Sequence, residues 1–112
     1  MKPAPFAYAK ASTLEDALSL LAENGDDARI LAGGQSLMAT LNMRLSAPQV
    51  LVDINRIDGL AGINDTGDAL RIGAMTRHSD VETSDLIAQH APLIAAAVDH
   101  IAHPAIRNRG TF

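Results

Sequence analysis

The stretch "RILAGGQSLMATLNMRL", Arg29 to Leu45, contains an apolar run, a glycine pair and then a pattern with helical spacing. Arg29–Ala32 predicts a short buried strand, and Leu37, Leu41 and Leu45 recur as they do on one face of a helix. The glycine pair therefore lies at a strand-to-helix turn. Because a helix N-terminus has unsatisfied N–H groups and a partial positive charge, this turn is a place where an anion can bind.

Two further strands and a helix are predicted on either side of this turn. Phe6–Ala9 suits a short strand, and Val50–Ile54 is rich in β-branched residues. Ser12–Glu15 is typical of a capping box, with Ser12 as N-cap and Glu15 reaching back. The helix that follows has an apolar face made of Leu14, Ala17, Leu18, Leu21 and Ala22. The order strand, helix, strand, helix, strand predicts a small parallel βαβαβ subdomain over residues 1–56.

Residues 57–112 follow a different pattern, which predicts the start of a second, antiparallel α+β subdomain. Two apolar segments flank the turn-rich Asn64–Asp68, as in an antiparallel hairpin. A helix is predicted around Ser79–His90, and an apolar helix with proline in its first turn from about Pro92 to Ile101. The polar end, His103–Phe112, predicts a loop.

Composition narrows the class of protein. The chain has 112 residues, a formal net charge of -4 and nine scattered Lys and Arg residues, which argues against a nucleic-acid or anionic-membrane partner. It contains no cysteine, so it holds no cysteine-ligated iron–sulfur cluster. No signal-peptide core is present and no apolar run approaches the ~20 residues of a membrane span. We expect a cytoplasmic protein.

The glycine pair has a chemical interpretation and a structural one. Gly33 and Gly34 remove side chains that would block a ligand and permit unusual dihedral angles. Ser36 can either cap the helix or donate to a phosphate oxygen, and Gln35 adds an amide donor beside it. The turn is neither a Walker loop nor a G-x-G-x-x-G motif. Taken alone, it favours a simple turn.

Five segments in order resemble the FAD-binding medium subunit of molybdenum hydroxylases, the carbon monoxide dehydrogenase and xanthine dehydrogenase family. They are "FAYAKASTLEDALSLLAE", "ILAGGQSLMATLNMRL", "VLVDINRI", "LRIGAMTRHSDVE" and "HIAHPAIRNRGTF". The resemblance covers essentially the whole chain. It implies an α+β FAD-binding fold of the vanillyl-alcohol oxidase type, with the flavin between two subdomains.

The resemblance also implies a set of cofactor-binding residues. The loop from Ala32 to Ser36 would bind the FAD diphosphate through backbone amides and the Ser36 hydroxyl, and a second motif beginning at Arg109 would contribute from the other side. The implied set is Ala32, Gly33, Gly34, Gln35, Ser36, Ile101, Ala102, Gly110 and Thr111. Ile101 and Ala102 would lie near the flavin and Thr111 near the phosphates.

By the same resemblance, the intact subunit joins an iron–sulfur small subunit and a molybdopterin large subunit in a heterotrimer. Substrate is oxidised at molybdenum, and electrons pass through iron–sulfur clusters to FAD and on to NAD, a quinone or oxygen. The family's second motif continues with a glycine pair and its subunits continue well past it, so the chain is expected to be an N-terminal fragment.

Two alternatives remain open at this point. One is another flavin oxidoreductase of the same FAD-binding fold, which "IRNRGT" and "LRIGAMTRHSDVE" disfavour. The other is a truncated, non-catalytic module that binds a phosphate-bearing ligand. Arg107 and Arg109 suit a diphosphate contact and a solvated basic turn equally well. His100 and His103 lack further ligands, so no metal site is expected.

Overall fold

The computed structural model describes all 112 residues, which fold as two compact units, residues 1–58 and 59–112. The first unit contains a three-stranded sheet in the order β1-β3-β2. Its strands are β1 (Ala7–Lys10), β2 (Ala28–Leu31) and β3 (Val50–Asp53). Both outer strands run parallel to β3. The predicted parallel βαβαβ arrangement is confirmed.

Helix α1 (Leu14–Asn24) begins one residue later than the predicted capping box implies. The Thr13 hydroxyl accepts from the Asp16 N–H at 3.1 Å, and the Asp16 carboxylate accepts from the Ser12 N–H at 3.2 Å. Ser12 as N-cap with Glu15 reaching back is therefore wrong. Thr13 and Asp16 repeat the same spacing of hydroxyl and carboxylate, and this second pair makes the cap.

The core of the first unit lies where α1 covers the sheet. Its buried hydrophobic residues are Ala11, Ala17, Ala28, Leu41, Leu51, Val52 and Ile57. Only part of the predicted α1 face is in this core, because Leu14 and Leu18 remain 48% and 57% exposed. The helix faces the sheet through Ala17, a small residue that permits close approach of the two backbones.

Helix α2 (Leu37–Asn42) is shorter than its leucine pattern predicts. Leu41 is buried, but Leu45 lies outside the helix and is 73% exposed. The helix ends at Asn42 with Met43 as its C-cap, and Arg44 takes a left-handed conformation with φ of 57°. A non-glycine residue in this region turns the chain sharply, which breaks the predicted face before its third leucine.

The second unit joins a hairpin to four short helices. Strands β4 (Ile63–Asp65) and β5 (Leu70–Ile72) pair antiparallel, which confirms the predicted hairpin. The helices are α3 (His78–Glu82), α4 (Asp85–His90), α5 (Pro92–Val98) and α6 (Pro104–Arg107). Val81, Ile87 and Val98 form the buried core, against which the hairpin packs Ile63, Leu70 and Ile72.

Three predictions for this unit need correction. The single helix over residues 79–90 is two helices, because the Ser84 hydroxyl accepts from the Ile87 N–H at 3.3 Å and starts α4 afresh. The apolar helix ends at Val98 instead of Ile101. The predicted loop over residues 103–112 contains α6, whose first residue is Pro104, a favourable start for a helix. None of the helices combines the length and apolarity needed to cross a membrane.

Candidate functional site

The segment Ala32–Ser36, here the glycine loop, connects β2 to α2. Gly34 has a φ of 76°, a region that L-residues rarely adopt. A Cβ on Gly34 would lie 3.3 Å from the Leu31 Cδ1, which is closer than an ordinary contact, and 3.4 Å from the Met38 Cγ. The Gly34 carbonyl accepts from the Met38 N–H at 3.1 Å and starts the helix. Backbone conformation and space both favour glycine at this position.

The start of α2 leaves three backbone donors open. The N–H groups of Gln35, Ser36 and Leu37 donate no hydrogen bond within the chain. Ser36 holds the N-cap position, but its hydroxyl accepts no helix N–H, so the capping alternative is not realised. Three adjacent donors at the positive end of a helix suit the oxygens of a phosphate.

The Gln35 side chain was expected to add an amide donor for the ligand, but it bonds within the loop instead. Its Nε2 donates to the Gly33 carbonyl at 3.3 Å, which turns the amide back onto the loop. Gly33 itself is buried. Among the predicted loop residues, Gln35 and Ser36 therefore offer backbone N–H groups, and the exposed Ser36 hydroxyl is available as a further donor.

Asn55 holds the beginning of the glycine loop and was missed by the sequence predictions. Its Nδ2 lies 2.8 Å from the Ala32 carbonyl oxygen and 2.7 Å from the Asp53 Oδ1. The Asn55 N–H also donates to the Asp53 Oδ1, at 2.8 Å. An asparagine two residues after a strand-ending aspartate predicts only the local bond to Asp53, and no spacing in the sequence connects it to Ala32.

Asp53 is also bound from the opposite side by Tyr8, whose phenol donates to the second carboxylate oxygen. Burial raises the pKa of Asp53, but the hydrogen bonds from Tyr8 and Asn55 outweigh it and leave that pKa below its ordinary value. The hydrogen bond to Asp53 raises the pKa of Tyr8, since loss of its proton would set two negative charges together. Asp53 therefore bonds both to local backbone, through the Asn55 N–H, and to a long-range partner, Tyr8.

The segment Arg109–Phe112, here the RGTF segment, lies antiparallel to residues 76–78 in the second unit. The His78 N–H donates to the Gly110 carbonyl at 3.0 Å, and the Phe112 N–H to the Thr76 carbonyl at 2.8 Å. A Cβ on Gly110 would lie only 2.8 Å from the His78 Nδ1 and 3.2 Å from the Ile106 carbonyl oxygen. Close packing therefore favours glycine at this position.

Ile101 and the RGTF segment are brought together around one apolar cavity. Its volume is about 240 Å³, and it is lined by His78, Val81, Ile94, Ala97, Val98, Ile101 and Phe112. The His78 Nδ1 is buried without a hydrogen-bond partner. Ala102, the neighbour of Ile101, has a φ of 48°, so this turn is held in a strained conformation for a residue with a Cβ.

Arg107 is neither exposed for a diphosphate contact nor part of a solvated basic turn, the two alternatives that the sequence left open. It is buried, and its guanidinium lies 3.2 Å from the Glu82 Oε2 and 3.0 Å from the Ile101 carbonyl oxygen. It is therefore an internal ion pair that supports the Ile101–Ala102 turn, not a diphosphate contact or a solvated residue. Arg109 is exposed, and its carbonyl accepts from the Arg77 guanidinium.

Comparison with known proteins identifies the family. Residues 4–112 match the family described as the FAD binding domain in molybdopterin dehydrogenase. The 6-hydroxypseudooxynicotine dehydrogenase complex subunit alpha of Paenarthrobacter nicotinovorans is 54% identical over 112 residues, which are 100% of this chain and 38% of that protein. The carbon monoxide dehydrogenase medium chain of Hydrogenophaga pseudoflava is 42% identical and is covered to 39%. The chain thus spans about two fifths of the length of these relatives.

Solved structures agree with the predicted FAD-binding fold. Carbon monoxide dehydrogenase from Hydrogenophaga pseudoflava superposes with a TM-score of 0.96 at 42% identity, over 99% of this chain and 39% of that chain. Quinoline 2-oxidoreductase from Pseudomonas putida 86 gives a TM-score of 0.94 at 39% identity, with the same coverage. The α+β fold is confirmed.

The residues present fit the cofactor that this family binds. The open N–H groups that follow Gly34 match the acceptor oxygens of a diphosphate. No basic side chain of the glycine loop is needed for this, since the donors are main-chain groups. The chain belongs to the family of FAD-binding domains of molybdopterin dehydrogenases, and FAD is its cofactor.

Proposed function

We propose that this chain is the FAD-binding part of an electron-transfer subunit in a molybdopterin-dependent hydroxylase or dehydrogenase. In this role it passes electrons that arrive from iron–sulfur clusters through FAD to an acceptor such as NAD, a quinone or oxygen. The observation that carries the proposal is the set of open N–H groups at Gln35, Ser36 and Leu37, where the glycine loop enters α2, in a chain of this family.

Each unit supplies its own candidate residues for the cofactor, and we assign residues 1–56 and 57–112 to the two FAD-binding subdomains. In the first, the glycine loop would hold the diphosphate through main-chain N–H groups, with the Ser36 hydroxyl as a further donor. In the second, Gly110 and Thr111 would contact phosphate, and Ile101 and Ala102 the flavin. FAD supplies the electron chemistry when bound, and the protein binds and orients it.

The names of relatives support a multi-subunit setting. One relative is the nicotine 6-hydroxylase medium subunit of Paenarthrobacter nicotinovorans, 44% identical over 112 residues. We propose that the protein containing this chain assembles with an iron–sulfur small subunit and a molybdopterin large subunit, in the cytoplasm. These 112 residues contain no cysteine, so cysteine-bound clusters need ligands outside them.

Affinity purification of the polypeptide that contains these residues, tagged and expressed in its own host, tests this assignment. The proposal expects FAD, iron and molybdenum to co-purify in fixed ratio with two other subunits. Purification of a stable FAD-loaded protein with neither metal would contradict the electron-transfer role. Binding of ADP without FAD would instead favour the phosphate-ligand module.

A further inference from the structure

We infer that Asn55 is a positioning residue for FAD, because it holds the glycine loop in the conformation that leaves its N–H groups open to the diphosphate. This rests on the proposed FAD-binding role of the loop and adds a residue that lies outside it. The observation behind it is the bond from the Asn55 carboxamide to the Ala32 carbonyl, where the loop begins.

The carboxamide of Asn55 joins three acceptors in a small space. Its Nδ2 lies 2.7 Å from the Asp53 Oδ1, 2.8 Å from the Ala32 carbonyl oxygen and 3.3 Å from the Leu31 carbonyl oxygen. An amide nitrogen has two protons, so the two short contacts are the full hydrogen bonds. The Leu31 carbonyl is additionally bonded by the Ile54 N–H at 3.2 Å.

Fixing one carbonyl fixes the rest of its peptide group. Because a trans peptide is planar, holding the Ala32 carbonyl toward Asn55 directs the Gly33 N–H to the opposite side. The same bond occupies a carbonyl oxygen that would repel a phosphate if it turned toward the anion. Asn55 therefore sets the orientation of the first peptide in the loop, and Gly34 completes the turn into α2.

Asn55 is itself held by hydrogen bonds that connect it to Asp53 and, through Asp53, to Tyr8. The Asp53 Oδ1 accepts both the Asn55 N–H and its Nδ2, while the Tyr8 phenol binds the other carboxylate oxygen. Lys10 on β1 and Arg56 just after Asn55 are the basic groups whose charge acts on the Asp53 and Tyr8 pair. Cross-strand contacts thus support the loop from β1 through β3.

The test compares Asn55→Asp and Asn55→Ala with a control, Asn64→Ala, in the polypeptide that contains this chain. Asn55→Asp replaces the donor with an oxygen next to two acceptors, and we expect it to raise the Kd for FAD about tenfold or more. Asn55→Ala should raise it about threefold to tenfold. Asn64 is an exposed residue of the hairpin in the second unit, and its substitution should leave the Kd unchanged.

Two spectroscopic readouts separate positioning from a general loss of stability. The phosphorus NMR resonances of bound FAD should shift in both Asn55 variants, because the donors around the diphosphate have moved. In the protein without FAD, nitrogen relaxation should show added motion at Gly33, Gly34 and Gln35 but not in β3. A merely structural role would lower the midpoint of unfolding without either signature.

The outcomes are distinguishable. A Kd within twofold of the original, with unchanged phosphorus resonances, would overturn the inference. If the unsubstituted protein binds no FAD, the proposed function fails, and loop relaxation without cofactor still decides the role of Asn55. If both Asn55 variants fail to fold, Asp53→Ala at the partly exposed end of β3 replaces them; unchanged FAD affinity and loop motion in that variant would overturn the inference.

Discussion

The guanidinium of Arg107 lies 3.0 Å from the carbonyl oxygen of Ile101 and thereby fixes the backbone just before Ala102 and its positive φ. The same guanidinium is paired with Glu82 at 3.2 Å. Helix α3, helix α6 and the Ile101–Ala102 turn are thus tied together by one buried cation. The conformation of a segment assigned to the flavin depends on a residue that we do not expect to touch it.

Removal of this cation should destabilise the second unit. Arg107→Met leaves the Glu82 carboxylate and the Ile101 carbonyl without their partner, and we expect the free energy of unfolding to fall by about 3 kcal/mol. Glu82→Gln should cost less, about 1–2 kcal/mol, because the Glu82 side chain is 30% exposed and the guanidinium keeps its carbonyl acceptors. Urea unfolding followed by circular dichroism measures both.

The matched control for this pair is the contact of His90 with Asp65, 3.5 Å long and more than 40% exposed on both sides. Asp65→Asn should change the free energy of unfolding by less than about 0.5 kcal/mol. If Asp65→Asn and Arg107→Met lower the free energy of unfolding equally, burial does not make the Arg107–Glu82 ion pair more stabilising than an exposed one.

Gly34→Ala should weaken FAD binding, whereas alanine at another glycine with positive φ should not. Gly67 provides the comparison, since it has a φ of 89° with open space around it, whereas Gly34 has 76° beside Leu31 and Met38. Each substitution should cost about 1 kcal/mol of stability through positive φ. Only Gly34→Ala should raise the Kd for FAD, and the larger Gly34→Val should raise it further. Fluorescence titration with FAD measures both Kd values. If Gly34→Ala and Gly67→Ala bind FAD with the same Kd, the glycine pair is not part of the binding site.

Two glycines of the second unit should tolerate alanine unequally. A Cβ on Gly73 would lie 2.3 Å from the Leu60 carbonyl oxygen, whereas on Gly110 the closest atom, 2.8 Å away, belongs to the His78 side chain. Backbone yields less readily than a side chain, so Gly73→Ala should be the more destabilising change and Gly110→Ala should cost about 1–3 kcal/mol. Thermal unfolding gives the order. Adding His78→Ala should recover part of the Gly110→Ala loss, and no recovery would mean that the Ile106 carbonyl sets the limit.

Tyr8 and Asp53 predict a dependence of stability on pH at both extremes. The pKa of Asp53 is lowered in the folded state, so its contribution is present above the ordinary value of 3.8 and is lost as the pH falls through the folded value. The pKa of Tyr8 is raised, so its contribution is present below 10.0 and is lost as the pH rises through the folded value. Tyr8→Phe should reduce the acid slope and abolish the tyrosine part of the alkaline slope. Urea unfolding across the pH range measures both slopes. If the unsubstituted protein and Tyr8→Phe show the same dependence of stability on pH, the Tyr8–Asp53 hydrogen bond is not the source of these slopes.

The first unit was more predictable than the second because its signals are local and repeated. Alternation of apolar strands and helices is sufficient to predict β1, β2 and β3 in parallel. The cap of α1 lies one residue later than predicted, because Ser12 and Thr13 offer equivalent hydroxyls with an acidic partner at the same spacing and the local pattern does not distinguish them. In the second unit, Ser84 divides a helix whose apolar spacing continues unbroken.

The candidate site was predictable where the backbone itself makes it, and not where distant side chains support it. The glycine pair and the serine that follows it predict a strand-to-helix turn, and the resemblance to the family then made this turn a candidate site. Asn55 lies 23 residues from Ala32 along the chain, and the partners of Arg107 lie in α3 and in the turn after α5, so neither role has a sequence spacing that reveals it. Arg107 was a candidate anion contact, but it is buried and stabilises the Ile101–Ala102 turn.

The central claim is that the glycine loop makes this chain bind FAD, and equilibrium binding tests it most directly. The purified polypeptide that contains these residues should bind one FAD per chain, become yellow and release the flavin on denaturation, and Gly34→Val should lower that affinity without unfolding the protein. A folded protein that stays colourless after incubation with FAD would contradict the account.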